Sequence, residues 1–257
     1  MKTAINSLIT AFQMFSVIPM PNIEYNDKNM RYMLSWLPLI GTVIGAAMGL
    51  WLALAKWLNL GAFARAAGLA VIPVVISGGI HMDGFCDATD ALSSHALPEK
   101  KRQILKDSNA GAFAVIAMTT YMVVYVAACT ELELENGTVT AVYLGLQQML
   151  SRCLGGYASL KYPSSSQHGM QYTFQKAADV KAIVPVYLWM AASCLGMIVI
   201  APLCGIICVM TGFLCLIYLK HMAQREFEGM SGDLAGWLIT VSQLAMLIMY
   251  ALCGKLA

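Results

Sequence analysis

The sequence predicts an all-α fold, a polytopic integral membrane helical bundle of about seven transmembrane helices plus an N-terminal interfacial or re-entrant helix, in one domain over residues 1–257. Three observations predict it. Of the 257 residues, 59% are hydrophobic and only 12% charged, and the mean hydropathy of +0.66 exceeds what a water-facing globular surface tolerates. Apolar stretches approaching the roughly 20 residues needed to cross ~30 Å of hydrocarbon recur along the chain. Lysine and arginine collect in alternate loops, as they do in chains that weave through a bilayer.

Each element follows from its own stretch. The opening "MKTAINSLITAFQMFSVIPMP" places Ile5, Leu8, Ile9, Phe12, Met14 and Phe15 on a helical repeat, and Pro19 and Pro21 end it. No small-residue cleavage pattern follows, so a helix lying at the interface is expected rather than a signal peptide. The seven expected spans are 33–57, 60–80, 111–130, 139–156, 183–201, 205–219 and 234–252. The apolar run from 183 to 219 is too long for one span, and Pro202 with Gly205 supplies the turn that divides it. No separate soluble domain and no internal repeat is apparent in the sequence. The eight cysteines form no CxxC pair and lie mostly in apolar segments, so they read as small core residues.

Loop charge sets the expected orientation. Lys2, Lys28 and Arg31 precede the first span; Lys100, Lys101, Arg102 and Lys106 follow the second; Lys161, Lys176 and Lys181 follow the fourth; Lys220 and Arg225 follow the sixth. The intervening "ELELENG" carries acids only, and Lys56, Arg65 and Lys255 are the dissenters. The chain is therefore expected to be multi-pass, with the N-terminus on the cytoplasmic side. A net charge of +2 says little about partners; no nucleic-acid partner is expected, and the lipid bilayer is the partner that composition demands.

The chemistry is concentrated in "HMDGFCDATDAL", residues 81–92. On a helix Asp83, Asp87 and Asp90 fall at i, i+4 and i+7 on one face, where like charges repel. At a membrane boundary that arrangement needs a cation among the carboxylates, and all-oxygen donors suit Mg²⁺ or Mn²⁺ rather than zinc. His81, beside the Gly78–Gly79 pair, is as well suited to local hydrogen bonding as to a metal or phosphate. In "KKRQILKDSNAGAF", Asp107 and Ser108 read as N-caps of the next span, and a helix N-terminus at a metal site also suits a phosphate. The Lys100, Lys101 and Arg102 run reads as a solvated, orientation-setting face. Ser151 and Arg152 interrupt the end of the fourth span, where a lone arginine is expensive unless it meets an anion or snorkels out. Arg225 and Glu226 precede "GMSGDLAG", in which Asp233 starts the last span, and "YPSSSQHGM" has the composition of a substrate cover. Carboxylates for a metal, cations for phosphates and glycines for close approach, all facing one compartment, suggest phosphoryl transfer.

The stretches "GGIHMDGFCDATDAL" and "KDSNAGAF", together with "FSVIPMP", "LPLIGTVIGA" and "GMSGDLAG", resemble the membrane-bound cobalamin synthases, the adenosylcobinamide-GDP ribazoletransferases, over essentially the whole chain. The resemblance implies that α-ribazole or its 5′-phosphate is joined to adenosylcobinamide-GDP with release of GMP, in the nucleotide-loop assembly step of cobalamin biosynthesis and with Mg²⁺ as cofactor. Carried over by position, Asp83, Asp87, Asp90 and Asp107 are the metal and catalytic carboxylates. The resemblance makes His81, Lys106 and Ser108 neighbouring contacts, matches Asp233 to the family's late glycine-aspartate element, and implies a place in the bacterial cytoplasmic (inner) membrane. Gly84, Arg152 and Arg225, read from the residues themselves, complete the expected substrate contacts. A homo-oligomer and docking of other corrinoid-assembly enzymes stay open. Two rivals are a CDP-alcohol phosphotransferase, which would place an Ala-Arg pair shortly after "DG", and a cation transporter, which would place its acids near mid-membrane.

Overall fold

A computed structural model describes residues 2–107, 109–132 and 137–255. The chain is an all-α polytopic membrane bundle. In order, its helices are α1 (Lys2–Phe15), α2 (Asp27–Met30), α3 (Met33–Trp57), α4 (Ala62–Ile76), α5 (Ile80–Ser93), α6 (Pro98–Ile104), α7 (Ala112–Thr130), α8 (Gly137–Lys161), α9 (Met170–Ala177), α10 (Ile183–Ile200), α11 (Pro202–Phe227) and α12 (Gly232–Gly254).

Five of these, α3, α7, α10, α11 and α12, are long and apolar enough to cross a membrane, and α4 with α5 makes a sixth if that bent pair is one span. Two of the seven expected spans therefore differ from their forecast. The second stops at Ile76, and the chain turns through 91° into α5. Gly78 and Gly79 take left-handed φ values of +63° and +79°, a conformation that costs glycine little and ends a helix. The fourth, α8, has 25 residues but is not among the helices that pass on hydropathy.

The polarity of α8 has a packing cause. It is the buried centre of the bundle: Gln147, Gln148, Ser151 and Arg152 are all sealed from solvent. Gln147 Nε2 donates to the Gln243 carbonyl at 2.6 Å, tying α8 to α12. Its most extensive partner is α3, and the two backbones approach so closely that a Cβ on Gly45 would overlap Gly145, as small residues allow at membrane helix interfaces. Two apolar cores flank it. One joins α8, α10, α11 and α12 around Leu150, Leu154 and Leu238; the other joins α3, α4, α7 and α12 around Ile40, Leu69 and Tyr125.

The basic loops are gathered at one end. Asp179 N–H donates to the Arg31 carbonyl at 3.3 Å, Met230 N–H to the Pro163 carbonyl at 2.7 Å, and Lys101 Nζ pairs with Glu226 at 2.5 Å. These contacts link the loops before α3, between α5 and α7, between α8 and α10, and between α11 and α12. At the opposite end Lys255 pairs with Glu131 at 3.1 Å, and Lys56 and Gly137 line one cavity. The alternation read from loop charge is thus an alternation in space. Helix α1 is too short to span; it packs on α3, burying Ser7, Thr10, Ala11 and Phe12.

Candidate active site

Helix α5 carries the aspartate stripe at the basic end of the bundle. Asp83 is exposed, and Asp87 and Asp90 are half-buried. Asp90 has a structural partner: its carboxylate accepts from the backbone N–H of Gly111 at 2.5 Å and of Ala114 at 2.9 Å. Gly111, the N-cap of α7, has no side chain to satisfy those groups, so α5 caps α7 from across the interface. Asp90 thus fills the capping position expected of Asp107, and it satisfies two of the N–H groups expected to face a phosphate. Asp107 instead accepts from the backbone N–H and the side-chain amide of Asn109, at 3.0 and 2.9 Å, and these donors hold its carboxyl below the ordinary carboxylate range. Ser108 lies outside the described residues.

A fourth carboxylate joins the stripe from the last helix. Ser231 caps α12 by accepting from Leu234 N–H at 3.2 Å, and Asp233 sits in its first turn. Gly84 makes this approach possible, since a Cβ there would lie 2.7 Å from the Asp233 carbonyl oxygen. Gly84, expected as a substrate contact, is buried against α12, where it serves the close packing of the two helices. Asp87 lies within electrostatic reach of Asp83, Asp233 and Asp90, and Asp233 within reach of Asp83. Among the described residues, no lysine, arginine or histidine forms an ion pair with any of the four. Among the described residues, no three His, Cys, Asp or Glu side chains converge closely enough to hold a metal ion by themselves.

Asp233 also lines a cavity of about 420 Å³ with Arg102, Lys106, Ser164, Ser166 and His168. The serine-rich loop expected to cover substrate is one wall, held by Ser165 N–H donating to the Met230 carbonyl at 2.9 Å. Helix α6 is the other. Lys101, expected on a solvated face, is 4% exposed and paired with Glu226; Arg102 pairs with Glu228 and donates to the Phe227 carbonyl at 3.3 Å. These bonds clamp α6 to the end of α11, a contact across some 125 residues that no local spacing reveals. Arg225 stands apart: it is exposed, pairs with neighbouring Glu226 at 3.1 Å, and borders a different cavity with His95, Lys101 and His221.

His81 and Arg152 face the interior. His81 is 7% exposed and stacks on Phe15 at 6.3 Å. Arg152 is 1% exposed, and its Nη1 donates to the Gln148 carbonyl at 3.0 Å and to Gln148 Oε1 at 2.9 Å. Neither lines the cavity beside Asp233. Of the predicted residues, the structure thus brings together Asp83, Asp87, Asp90 and Asp233, with Lys106 in the adjoining cavity.

A family model described as Cobalamin-5-phosphate synthase matches residues 7–251. The chain belongs to this family. The adenosylcobinamide-GDP ribazoletransferase of Lachnoclostridium phytofermentans is 36% identical over 241 residues, covering 93% of this chain and 91% of the relative. That of Clostridium botulinum strain Eklund 17B is 29% identical, covering 95% and 96%, and that of Halalkalibacterium halodurans is 30% identical, covering 92% and 91%. No solved structure matches the chain. Membership of the cobalamin-5-phosphate synthase family makes it a transferase of cobalamin biosynthesis and displaces the CDP-alcohol phosphotransferase and transporter readings.

Proposed function

We propose that the chain joins α-ribazole, or its 5′-phosphate, to adenosylcobinamide-GDP with release of GMP, at the basic end of the bundle and with Mg²⁺. The observation that carries the reading is the group Asp83, Asp87 and Asp233, which has no cationic partner among the described residues and adjoins a cavity lined by Lys106, Arg102 and serines. The names of the relatives supply the donor substrate.

The donor set suits a hard cation. Mg²⁺ is commonly held by one or two carboxylates together with substrate phosphates and water, so the lack of three converging protein ligands is compatible with such a site. Asp83 and Asp87, or one of them together with Asp233, would hold it, while Asp90 remains with α7 and Asp107 follows the cavity-lining Lys106. When bound, Mg²⁺ supplies neutralisation of diphosphate charge and a fixed orientation of the phosphorus centre.

The chain's own residues do the rest. Lys106 places a positive charge where the anionic substrates enter, and Arg102, anchored by Glu228, keeps that wall in place. A carboxylate of the Asp83, Asp87 and Asp233 group takes the proton from the attacking ribose hydroxyl as its oxygen bonds to the phosphorus bearing the corrinoid alcohol. The bond from that phosphorus to the GMP oxygen breaks, and GMP leaves with the electron pair. The serine loop of residues 164–166 limits water, which would otherwise compete as nucleophile. The loop charges, gathered at this end, favour its placement on the cytoplasmic side of the cytoplasmic membrane.

The test is GMP release by the purified protein in vesicles, supplied with adenosylcobinamide-GDP, α-ribazole phosphate and Mg²⁺, beside the Asp83→Asn variant. Metal-dependent GMP and corrinoid product, lost in the variant, are expected. Turnover of a CDP-alcohol pair without product from these substrates would overturn the proposal.

A further inference from the structure

The molecule holds a second polar cavity, inside the bundle and separate from the proposed active site. Helices α4, α5, α7, α8 and α12 border a small, partly open cavity of about 20 Å³ lined by Ser77, His81, Tyr121, Tyr125, Arg152 and Gln243 among others. That is room for one water-sized particle.

The chemistry of its walls is lopsided. Arg152 is 1% exposed, a guanidinium stays protonated in proteins, and a desolvated charge is tolerated when it is paired. Among the described residues no carboxylate forms an ion pair with Arg152. Its Nη1 reaches only neutral acceptors, Gln148 and Ser151. Its Nε is buried with no partner, and so are both ring nitrogens of His81. Thr240, on the same wall, already donates to the His81 carbonyl at 3.1 Å. Tyr121 and Gln243 add O–H and N–H donors to the lining.

We propose that this cavity binds a single monatomic anion of chloride size, which neutralises Arg152. A water molecule would fill the space and leave the charge uncompensated, and a phosphate or carboxylate is too large for it. The anion would contact α8 through Arg152 and α5 through His81, two residues ahead of Asp83. It would thereby hold the start of the aspartate helix against the bundle centre. The site does not depend on which substrates the enzyme uses, so its test stands apart from the turnover assay.

The test is thermal unfolding of the purified full-length protein in detergent, titrated with chloride or bromide against gluconate at constant ionic strength. A saturable rise of about 3 °C with both halides is expected, absent with gluconate and absent for Arg152→Gln. Equal unfolding temperatures in all salts, or an undiminished halide effect in Arg152→Gln, would overturn the proposal. Should that variant fail to fold, crystals of the unaltered protein grown in bromide decide the matter. An anomalous bromide peak beside Arg152 supports the site, and a water there at saturating bromide refutes it.

Discussion

Two regions of this molecule carry charge of one sign without an ion-pair partner, and they handle it oppositely. On α5 the carboxylates of Asp83 and Asp87, with Asp233 from α12, stand at a half-open surface beside a cavity. Around Arg152 in α8 the charge is sealed in the bundle centre beside a space for one small particle. Exposure decides what each can do. An open group of carboxylates can exchange a cation and reach a large substrate, whereas a sealed guanidinium can only be matched once, by a small resident, and so serves architecture. The glycines follow the same division: Gly84 lets two acid-bearing backbones meet, while Gly45 and Gly145 close the centre.

The sharpest way to test the difference is to remove charge from the open region. Asp87→Asn should lower turnover on the order of 10³-fold while leaving the unfolding temperature unchanged or slightly raised, because one member of a like-charge group is gone. A large loss of stability would mean that the stripe is structural after all. Gly84→Val probes the junction itself. The added side chain meets the Asp233 backbone at 2.7 Å and should cost about 2 kcal/mol of stability by overpacking, with a fall in turnover as Asp233 moves from Asp83; thermal unfolding and the GMP assay read the two effects.

Within the stripe, Asp90 should behave unlike its neighbours. Its bonds to Gly111 and Ala114 make Asp90→Ala a cap deletion, expected to destabilise by about 1 kcal/mol, measurable by chemical denaturation in detergent. The smallest effect belongs to Asp107→Asn. Its carboxyl is held below the ordinary range by Asn109, so any stability it contributes is present above the ordinary carboxylate pKa of about 3.9 and lost as pH falls through its lower folded value. The side chain is exposed. Any difference between the unfolding temperatures of the variant and the parent should therefore be small, present at pH 7, and vanish on the acid side.

Much of this site was legible in the chain. The spacing of Asp83, Asp87 and Asp90 places them on one helical face whatever that helix packs against, and the polar loop at 162–170 announced itself by composition. The partners were not legible. Lys101 and Arg102 look like a solvated pair in a basic run, and only the fold brings Glu226 and Glu228 to them. Asp107 has the local signature of a cap, but Asp90 takes that role from a different helix. Arg152 reads as a boundary residue because a span of that polarity is expected to end there; α8 continues to Lys161 because its polar side chains turn inward.

By itself the sequence determined the helical membrane class, the places of the long apolar helices, the grouping of basic loops and the acid stripe, because hydropathy and helical period act over neighbouring residues. The tertiary structure decided the right-angle break at Gly78 and Gly79, the arrival of Asp233, the capping of α7 by Asp90 and the burial of Arg152. Each of those depends on which backbones can approach and which polar groups find partners across helices distant in the chain, and that is a property of packing rather than of local pattern.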